Sequence, residues 1–272
     1  MSRLNKALER IKAREASQND PVFIDNPLKQ RALRPSRQEI PDPVAKAEKM
    51  AVLHPEAMRE HHLITEDIDP IVLTSYKMLR TRILKSMRSN GWQSLAVTSA
   101  TQGDGKTITA INLAISLAGD VNHNVCLVDL DLRHSSVASY LDLDVEYGIS
   151  DCLSGNVPLE KAIVRTNIDR LTVLPNLGQV HDSSELLSSP SMRQFTEMLA
   201  ADPNRLVIYD MPPILAADDM LTFDQYVDAV LFVISEGKTN RTDAIKAREL
   251  MVEMNVLGTV LNRSDEKTAT YY

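Results

Sequence analysis

The stretch that decides the fold is Ala100-Thr101-Gln102-Gly103-Asp104-Gly105-Lys106-Thr107. It follows an apolar, strand-like run at residues 95–98 and precedes a helical segment at 106–119. Apart from Ala100 in place of the first glycine, it matches the P-loop pattern G-x-x-x-x-G-K-[ST]. Such a loop turns backbone N–H groups onto phosphate oxygens, and the helix that follows favours negative charge at its N-terminus. The sequence therefore predicts a nucleoside triphosphate site, and an ordinary glycine-rich turn is the weaker alternative.

Apolar runs of strand length alternate with helical segments through the rest of the chain. The runs lie at residues 95–98, 125–130, 171–174, 206–209, 229–234 and 256–261. Helical segments are predicted at 70–89, 106–119, 183–201 and 241–254. Continuous Val/Ile/Leu strands are typical of a parallel sheet that is covered on both faces. The predicted fold is an α/β P-loop NTPase with a doubly wound, mostly parallel sheet and helices on both faces.

Carboxylates stand at the ends of two predicted strands. Asp129 and Asp131 close the second strand, and Asp210 closes the fourth. Side chains two apart on an extended strand face the same way, so the first pair should align. Buried carboxylates are costly without a cation. Bound Mg²⁺, together with a hydroxyl proton to accept, would explain their presence beside a P-loop.

Composition limits the setting in which the chain works. Its 272 residues are 43% hydrophobic, and the two cysteines, Cys126 and Cys152, have neither metal nor redox spacing. We find no secretory signal, and no apolar run approaches the ~20 residues that a membrane span needs. We therefore expect a soluble chain in a reducing, cytoplasmic compartment.

Charge is distributed unevenly. Residues 1–50 hold 11 Lys/Arg and 7 Asp/Glu, a net of +4, so the other residues hold 19 of the 30 basic and 30 of the 37 acidic side chains, a net of −11. The acidic remainder argues against nucleic acid as a partner. Residues 2–16 predict a basic amphipathic helix, which is either a solvated end or a docking element for a partner or an inner membrane face. Prolines up to Pro43 indicate a flexible linker.

Three elements together resemble one family. They are the P-loop, Leu127-Val128-Asp129-Leu130-Asp131-Leu132-Arg133 and Asp210-Met211-Pro212-Pro213. They look like the bacterial tyrosine kinases of capsule and exopolysaccharide synthesis, most of all the stand-alone cytoplasmic form. The resemblance covers about residues 70–272, and its specific part is the Asp-x-Asp-x-Arg element. It implies an ATP-dependent protein-tyrosine autokinase that regulates exopolysaccharide or capsule polymerisation and export.

The resemblance also implies catalytic roles. Asp129 would accept the tyrosine hydroxyl proton, while Lys106 and Arg133 would act at the reacting phosphate. Phosphoryl transfer needs positioning and charge neutralisation more than covalent chemistry, which suits this set.

The resemblance implies two ligand sets as well. The Mg²⁺ ligands would be Thr107, Asp131 and Asp210. Asn262 resembles an adenine contact, and a turn-stabilising asparagine is an equal alternative. The predicted ATP-binding residues are Gly103, Asp104, Gly105, Lys106, Thr107, Ile108 and Asn262.

The chain ends in Thr270-Tyr271-Tyr272. In the family, neighbouring subunits phosphorylate such a C-terminal tyrosine cluster, so Tyr271 and Tyr272 are the expected phosphoacceptors in trans. Ten residues beyond Asn262 span at most about 33–36 Å, enough to reach another active site. The predicted organisation is a basic helix and linker at 1–50, a kinase domain at 51–264 and a tyrosine tail at 265–272.

The sequence departs from the family at two places. Met211 stands where a serine or threonine is usual. The family's Glu-x-x-Arg-x-x-Arg ring motif aligns with Thr74, Lys77 and Arg80, so only its last residue matches. We expect a homo-oligomer, and ring formation through this helix is left open.

Partners follow from the same resemblance. A separate membrane protein, the chain-length determinant or activator, would bind the kinase and recruit it to the inner face of the plasma membrane. The segments at 2–16 and 70–89 are the candidate docking surfaces.

Two other functions compete. A MinD/ParA-like P-loop switch ATPase shares the fold, but its signature lysine would occupy the position of Thr101. A non-enzymatic scaffold that binds nucleotide is suggested by Ala100 and Met211, and it is the weakest alternative.

Overall fold

The structure is a computed structural model that describes residues 42–264. The predicted helix at 2–16 and the tail at 265–272 lie outside this range. The strands are β1 (Lys49–Ala51), β2 (Ser94–Ser99), β3 (Asn124–Asp129), β4 (Val164–Thr166), β5 (Leu171–Leu174), β6 (Arg205–Asp210), β7 (Ala229–Ser235) and β8 (Val256–Asn262). The longer helices are α2 (Pro70–Asn90), α3 (Lys106–Ala118), α8 (Pro190–Leu199) and α10 (Arg241–Leu250).

Short helices fill the connections between these elements. They are α1 (Pro55–Glu60), α4 (Val137–Tyr140), α5 (Ile149–Leu153), α6 (Leu159–Ala162), α7 (Ser183–Leu187) and α9 (Asp219–Phe223). A 3₁₀ turn at Asp224–Tyr226 follows α9. No helix of the described range has both the length and the apolar character of a membrane span.

The eight strands form one sheet in the order β1-β4-β5-β3-β6-β2-β7-β8. Every neighbouring pair is parallel except β4 and β5. Strands β3, β6 and β2 are therefore adjacent, and their carboxyl ends share one edge of the sheet. Ligands of open α/β sheets bind at this edge, where loops from neighbouring strands converge.

Alternate side chains of the inner strands enter two separate cores. In β3, Cys126 and Val128 join the core beneath α8, α9 and α10, whereas Leu127 joins the core beneath α2 and α3. Four of the inner strands, β2, β3, β6 and β7, are buried almost throughout. Burial on both faces explains why these strands appear in the sequence as continuous apolar runs.

The predicted doubly wound α/β fold is confirmed, with two local corrections. The helix predicted at 183–201 is two helices, because Pro190 begins the second and the Ser189 hydroxyl caps it by accepting a hydrogen bond from Met192 N (3.1 Å). The folded domain also begins before residue 51. Strand β1 pairs with β4 from Lys49 onward, and Asp42 forms an ion pair with Arg205 (2.6 Å).

Candidate active site

The P-loop connects β2 to α3. Gly103 and Gly105 have φ values of 79° and 92°, in the left-handed region that favours glycine. Ala100 is not among the residues with positive φ, and its methyl group is fully buried in the core. Alanine therefore fits at the first position of the motif, because neither the backbone conformation nor the available space requires glycine there.

Asp104 closes the P-loop on itself. Its Oδ2 accepts a hydrogen bond from Thr101 N (2.8 Å), and its side chain is fully buried. Because this carboxylate is bonded within the loop, the predicted contact between Asp104 and nucleotide would have to use the Asp104 backbone. The side chain of Ile108, another predicted ATP-binding residue, also points away from a ligand, since it packs against the core beneath α2 and α3.

A buried charge cluster lies at the start of α3. The Lys106 ammonium is 2.7 Å from Asp131 Oδ2 and 3.4 Å from Asp210 Oδ1. The Thr107 hydroxyl donates to Asp210 Oδ2 over 2.7 Å. The structure thus brings together the predicted P-loop cation, the predicted hydroxyl ligand and two of the three predicted carboxylates.

Asp129 is the third carboxylate, and both its oxygens are engaged by backbone. It is in register with Asp210 on the neighbouring strand and is fully buried. Its Oδ1 accepts from Asp131 N (3.2 Å), and its Oδ2 accepts from Ser136 N and Val137 N (3.0 Å each). Asp129 therefore holds the loop between β3 and α4 in place.

Burial shifts the titration of this cluster. Burial and the neighbouring Asp210 charge raise the pKa of the Asp129 carboxyl well above its usual range. Burial raises the pKa of Asp210 as well, against the opposing effect of Lys106. Burial lowers the pKa of Lys106, but the charges of Asp210 and Asp131 outweigh it and the net pKa is raised.

The donor set fits Mg²⁺ bound together with a nucleotide. Two carboxylates and a hydroxyl meet one ammonium, which leaves negative charge for a divalent cation to neutralise. No group of three or more His, Cys, Asp or Glu in residues 42–264 is arranged to hold a metal by itself. Mg²⁺ commonly uses one or two carboxylates and completes its shell with waters and substrate phosphates.

Arg133 lies in a separate polar network beside the cluster. Its Nε donates to Ser183 Oγ (2.8 Å), and the same hydroxyl donates to Asp219 Oδ1 (2.9 Å). Asp219 is fully buried, and its Oδ2 lacks a hydrogen-bond partner among the described residues. Burial raises the pKa of this carboxyl. Nothing in the sequence marks Ser183 and Asp219 as functional, because they stand at helix starts and look like ordinary capping residues.

Two side chains from the ends of β7 and β8 reach the P-loop. Asn262 Nδ2 donates to the Asp104 carbonyl (3.0 Å), and its Oδ1 accepts from Arg263 N (2.9 Å). The Lys238 ammonium donates to the Gln102 carbonyl (2.8 Å). Asn262 thus contacts the predicted site through the loop itself, and nothing in the sequence marks Lys238 as a second contact to it.

Met211, which replaces the usual serine or threonine, is fully buried in the core. Its side chain fills space there, and its backbone N–H donates to Val97 O (3.0 Å). Tyr271 and Tyr272 lie outside the described residues.

This combination of sheet order, P-loop and strand-end carboxylates defines a P-loop NTPase. A family model described as "ParA: NUBPL iron-transfer P-loop NTPase" matches residues 92–269. Within this class, tyrosine-protein kinase YwqD of Bacillus subtilis (strain 168) is 33% identical over 189 residues, which is 69% of this chain and 79% of that protein.

Solved structures point to the same group. The chimerical protein CapA2B2 superposes with a TM-score of 0.70 at 26% identity, covering 81% of this chain and 96% of that one. The kinase domain of Escherichia coli tyrosine kinase ETK gives a TM-score of 0.66 at 26% identity, with 82% and 98% covered. The chain belongs to the bacterial tyrosine kinases, a family of P-loop protein-tyrosine kinases.

Proposed function

We propose that this kinase uses MgATP to phosphorylate Tyr271 and Tyr272 on neighbouring subunits, and that it thereby regulates the polymerisation and export of an exopolysaccharide or capsule. The observation that carries the proposal is the meeting of Lys106, Asp131 and Asp210 in one buried cluster. Adjacent parallel strands deliver the two carboxylates to the start of α3, where a P-loop protein binds phosphates and metal.

Each side chain of the cluster has a proposed task. Thr107, Asp131 and Asp210 would hold Mg²⁺, which neutralises charge on the transferring phosphoryl group when bound. Lys106 neutralises the two carboxylates in the structure, and its ammonium would serve the β- and γ-phosphates. Gly103 and Gly105 allow the loop N–H groups to face those phosphates.

Asp129 is the proposed base for the tyrosine hydroxyl proton. Its raised pKa suits proton acceptance near neutral pH. However, its oxygens accept backbone hydrogen bonds from the loop that begins α4. Its Oδ2 accepts both of these bonds, whereas Oδ1 accepts one bond, from Asp131 N, so Oδ1 is the oxygen proposed to accept the tyrosine hydroxyl proton.

Arg133, which lies beside the charge cluster, is proposed to contact the reacting phosphate. Its side chain is 36% exposed, so the guanidinium retains donors for a ligand while Ser183 fixes its Nε. Asn262 would contribute to the nucleotide site by holding the P-loop.

The wider setting is also a proposal. A membrane activator protein would bind the chain and bring it to the inner face of the plasma membrane, with the segment at 2–16 and helix α2 as docking surfaces. Helix α2 carries exposed Ile71 and Met78, and it contains five Lys/Arg and no Asp/Glu among its 21 residues. An acidic or amphipathic partner segment would suit it.

One experiment tests the function. The full chain is incubated with labelled ATP and Mg²⁺, with and without the cognate membrane activator, and the products are resolved as phosphotyrosine and free phosphate. We expect phosphotyrosine at Tyr271 and Tyr272 by mass spectrometry, and its loss in Asp129→Asn while ATP binding persists. Transfer that survives this substitution would remove Asp129 from the proton-accepting role.

A switch ATPase is the second candidate, because the matching family model is of the ParA type. Release of free phosphate without phosphotyrosine, in the presence of the activator, would favour it. Thr101 in place of the signature lysine counts against it, and absence of both products would leave the scaffold function.

A further inference from the structure

The loop after β7 is a rigid turn that presents Lys238. The Ser235 carbonyl accepts hydrogen bonds from Lys238 N (3.2 Å) and Thr239 N (3.0 Å). In return, the Thr239 hydroxyl accepts from Ser235 N (2.8 Å). Gly237, with φ of 70°, allows the tight reversal. These bonds fix the backbone from which the Lys238 side chain extends.

Hydrogen bonds connect this turn to the end of β8 and to the P-loop, and they connect β8 to the P-loop in turn. Glu236 N donates to the Asn262 carbonyl (2.9 Å), and Asn262 Nδ2 donates to the Asp104 carbonyl (3.0 Å). The Lys238 ammonium donates the bond that connects the turn to the P-loop, at the Gln102 carbonyl (2.8 Å). Two carbonyls of the P-loop, those of Gln102 and Asp104, are therefore bonded to side chains that follow or end the adjacent strands β7 and β8.

The glycines of the P-loop make room for both tethers. A Cβ atom at Gly103 would collide with the Lys238 ammonium, and one at Gly105 would collide with the Asn262 amide. Both neighbours are the far ends of side chains, so it is the positive φ values that require glycine at these positions, and the two tethers occupy the space that the missing side chains leave.

The Lys238 ammonium is a cation without a carboxylate partner among residues 42–264. The residue is exposed, and no carboxylate in residues 42–264 lies within ion-pair distance of its ammonium. Its bond to the Gln102 carbonyl occupies one of three donors. A charged hydrogen bond of this kind is stronger than a neutral one and fixes the direction of the peptide group that accepts it.

We propose that Lys238 is a positioning residue of the nucleotide site, which holds the Gln102–Gly105 segment so that its N–H groups face the phosphates before ATP binds. The inference rests on the proposed function of the P-loop. Preorganisation lowers the cost of ordering the loop on binding, so it acts mainly on affinity. The groups that meet the phosphoryl group, Lys106 and Asp131, are not touched by Lys238, so turnover at saturating ATP should change little.

Four full-length variants test this role. Lys238→Met keeps the aliphatic stem and removes the donor, while Lys238→Arg restores a charged donor. Lys246→Met, at an exposed lysine of α10, is the matched control. Lys106→Ala removes the P-loop cation and reports whether the nucleotide site is where we place it. The dissociation constant for MgATP is measured by calorimetry, and kcat and KM for ATP by phosphotyrosine formation with the activator.

We expect Lys238→Met to raise Kd and KM for ATP by about tenfold, with kcat within about twofold of the native enzyme. Lys238→Arg should recover most of the affinity, and Lys246→Met should match the native chain. Native-like affinity in Lys238→Met would overturn the inference, as would a loss that arginine does not repair and that accompanies a lower unfolding temperature. If Lys106→Ala binds MgATP as tightly as the native chain, the proposed nucleotide site itself fails, and the inference with it.

Discussion

The Lys106 ammonium lies 2.7 Å from the Asp131 carboxylate, and both side chains are buried. Their proximity joins the first residue of α3 to the segment just after β3. Asp210 completes the arrangement from β6, at 3.4 Å from the same ammonium. One cation thus balances carboxylates from two strands, which makes the nucleotide-free domain dependent on a residue whose proposed work is done on ATP.

Removing Lys106 should therefore destabilise the protein before any substrate is added. We expect Lys106→Ala to lower the free energy of unfolding by about 3 kcal/mol, because buried carboxylates lose their compensating charge. Urea denaturation of the nucleotide-free chain measures this, with Lys161→Ala at an exposed position of α6 as control. Adding Asp131→Asn to Lys106→Ala should restore part of the loss. Equal stability of Lys106→Ala and the native chain would show that the cluster is not held by charge.

The free energy of unfolding should depend on pH in the direction set by the raised pKa of Asp129. Burial and Asp210 raise its pKa, so the folded state binds its proton more tightly than the unfolded state does. Stability from this group is present below the ordinary carboxyl pKa of about 4 and is lost as pH rises towards the raised value. We expect the stability of Asp129→Asn relative to the native chain to rise by roughly 1 kcal/mol per pH unit between pH 5 and 8, without Mg²⁺ or nucleotide.

Asparagine also changes the hydrogen bonds to Ser136 and Val137, but that offset does not vary with pH. The informative quantity is therefore the slope of the stability difference, taken from urea denaturation at several pH values. A constant difference would mean that the Asp129 carboxyl titrates alike in both states.

Ser183 should matter for transfer and not for nucleotide affinity. Its hydroxyl joins Arg133 to the buried Asp219, so Ser183→Ala leaves the guanidinium with only the longer contact between its Nη2 and Asp219 Oδ1 (3.7 Å). We expect kcat to fall about fivefold, equivalent to about 1 kcal/mol, with the Kd for MgATP unchanged. Ser188→Ala, at an exposed serine that follows the same helix, is the control. Unchanged kcat in Ser183→Ala would separate this network from catalysis.

Arg80 should act within the subunit. It is the one residue that matches the family's ring motif, yet its Nη1 donates to the Ser116 carbonyl (2.9 Å) near the end of α3. We expect Arg80→Ala to reduce stability by about 1 kcal/mol and to leave the subunit count unchanged. Light scattering coupled to size exclusion, with urea denaturation, measures both. Lys77→Ala, exposed on the same helix, should change neither, and dissociation of an oligomer in Arg80→Ala would contradict the assignment.

The central strands could be predicted because burial on both faces makes each of them a continuous apolar run. Strands β1 and β4 could not, since each has only three residues, and β1 exists only through its pairing with the distant β4. The prediction of one continuous helix at 183–201 was wrong for a local reason, because Pro190 interrupts an otherwise helical pattern.

The charge cluster was predictable for a similar reason. Lys106, Asp131 and Asp210 each stand at a strand end or helix start that the sequence marks, and parallel topology brings those ends together. Lys238 carries no such mark, and its contact with Gln102 spans 136 residues of chain. For Asp104 the residue was identifiable, but the sequence alone did not show that its carboxylate turns back onto the loop.

The ion pair between Asp42 and Arg205 has a structural consequence. Arg205 is 2% exposed and is the first residue of β6, the strand that ends in Asp210. The ion pair therefore fastens Asp42, the first described residue, to the strand that carries Asp210 into the charge cluster. The start of the described chain and the charge cluster thus depend on one shared strand.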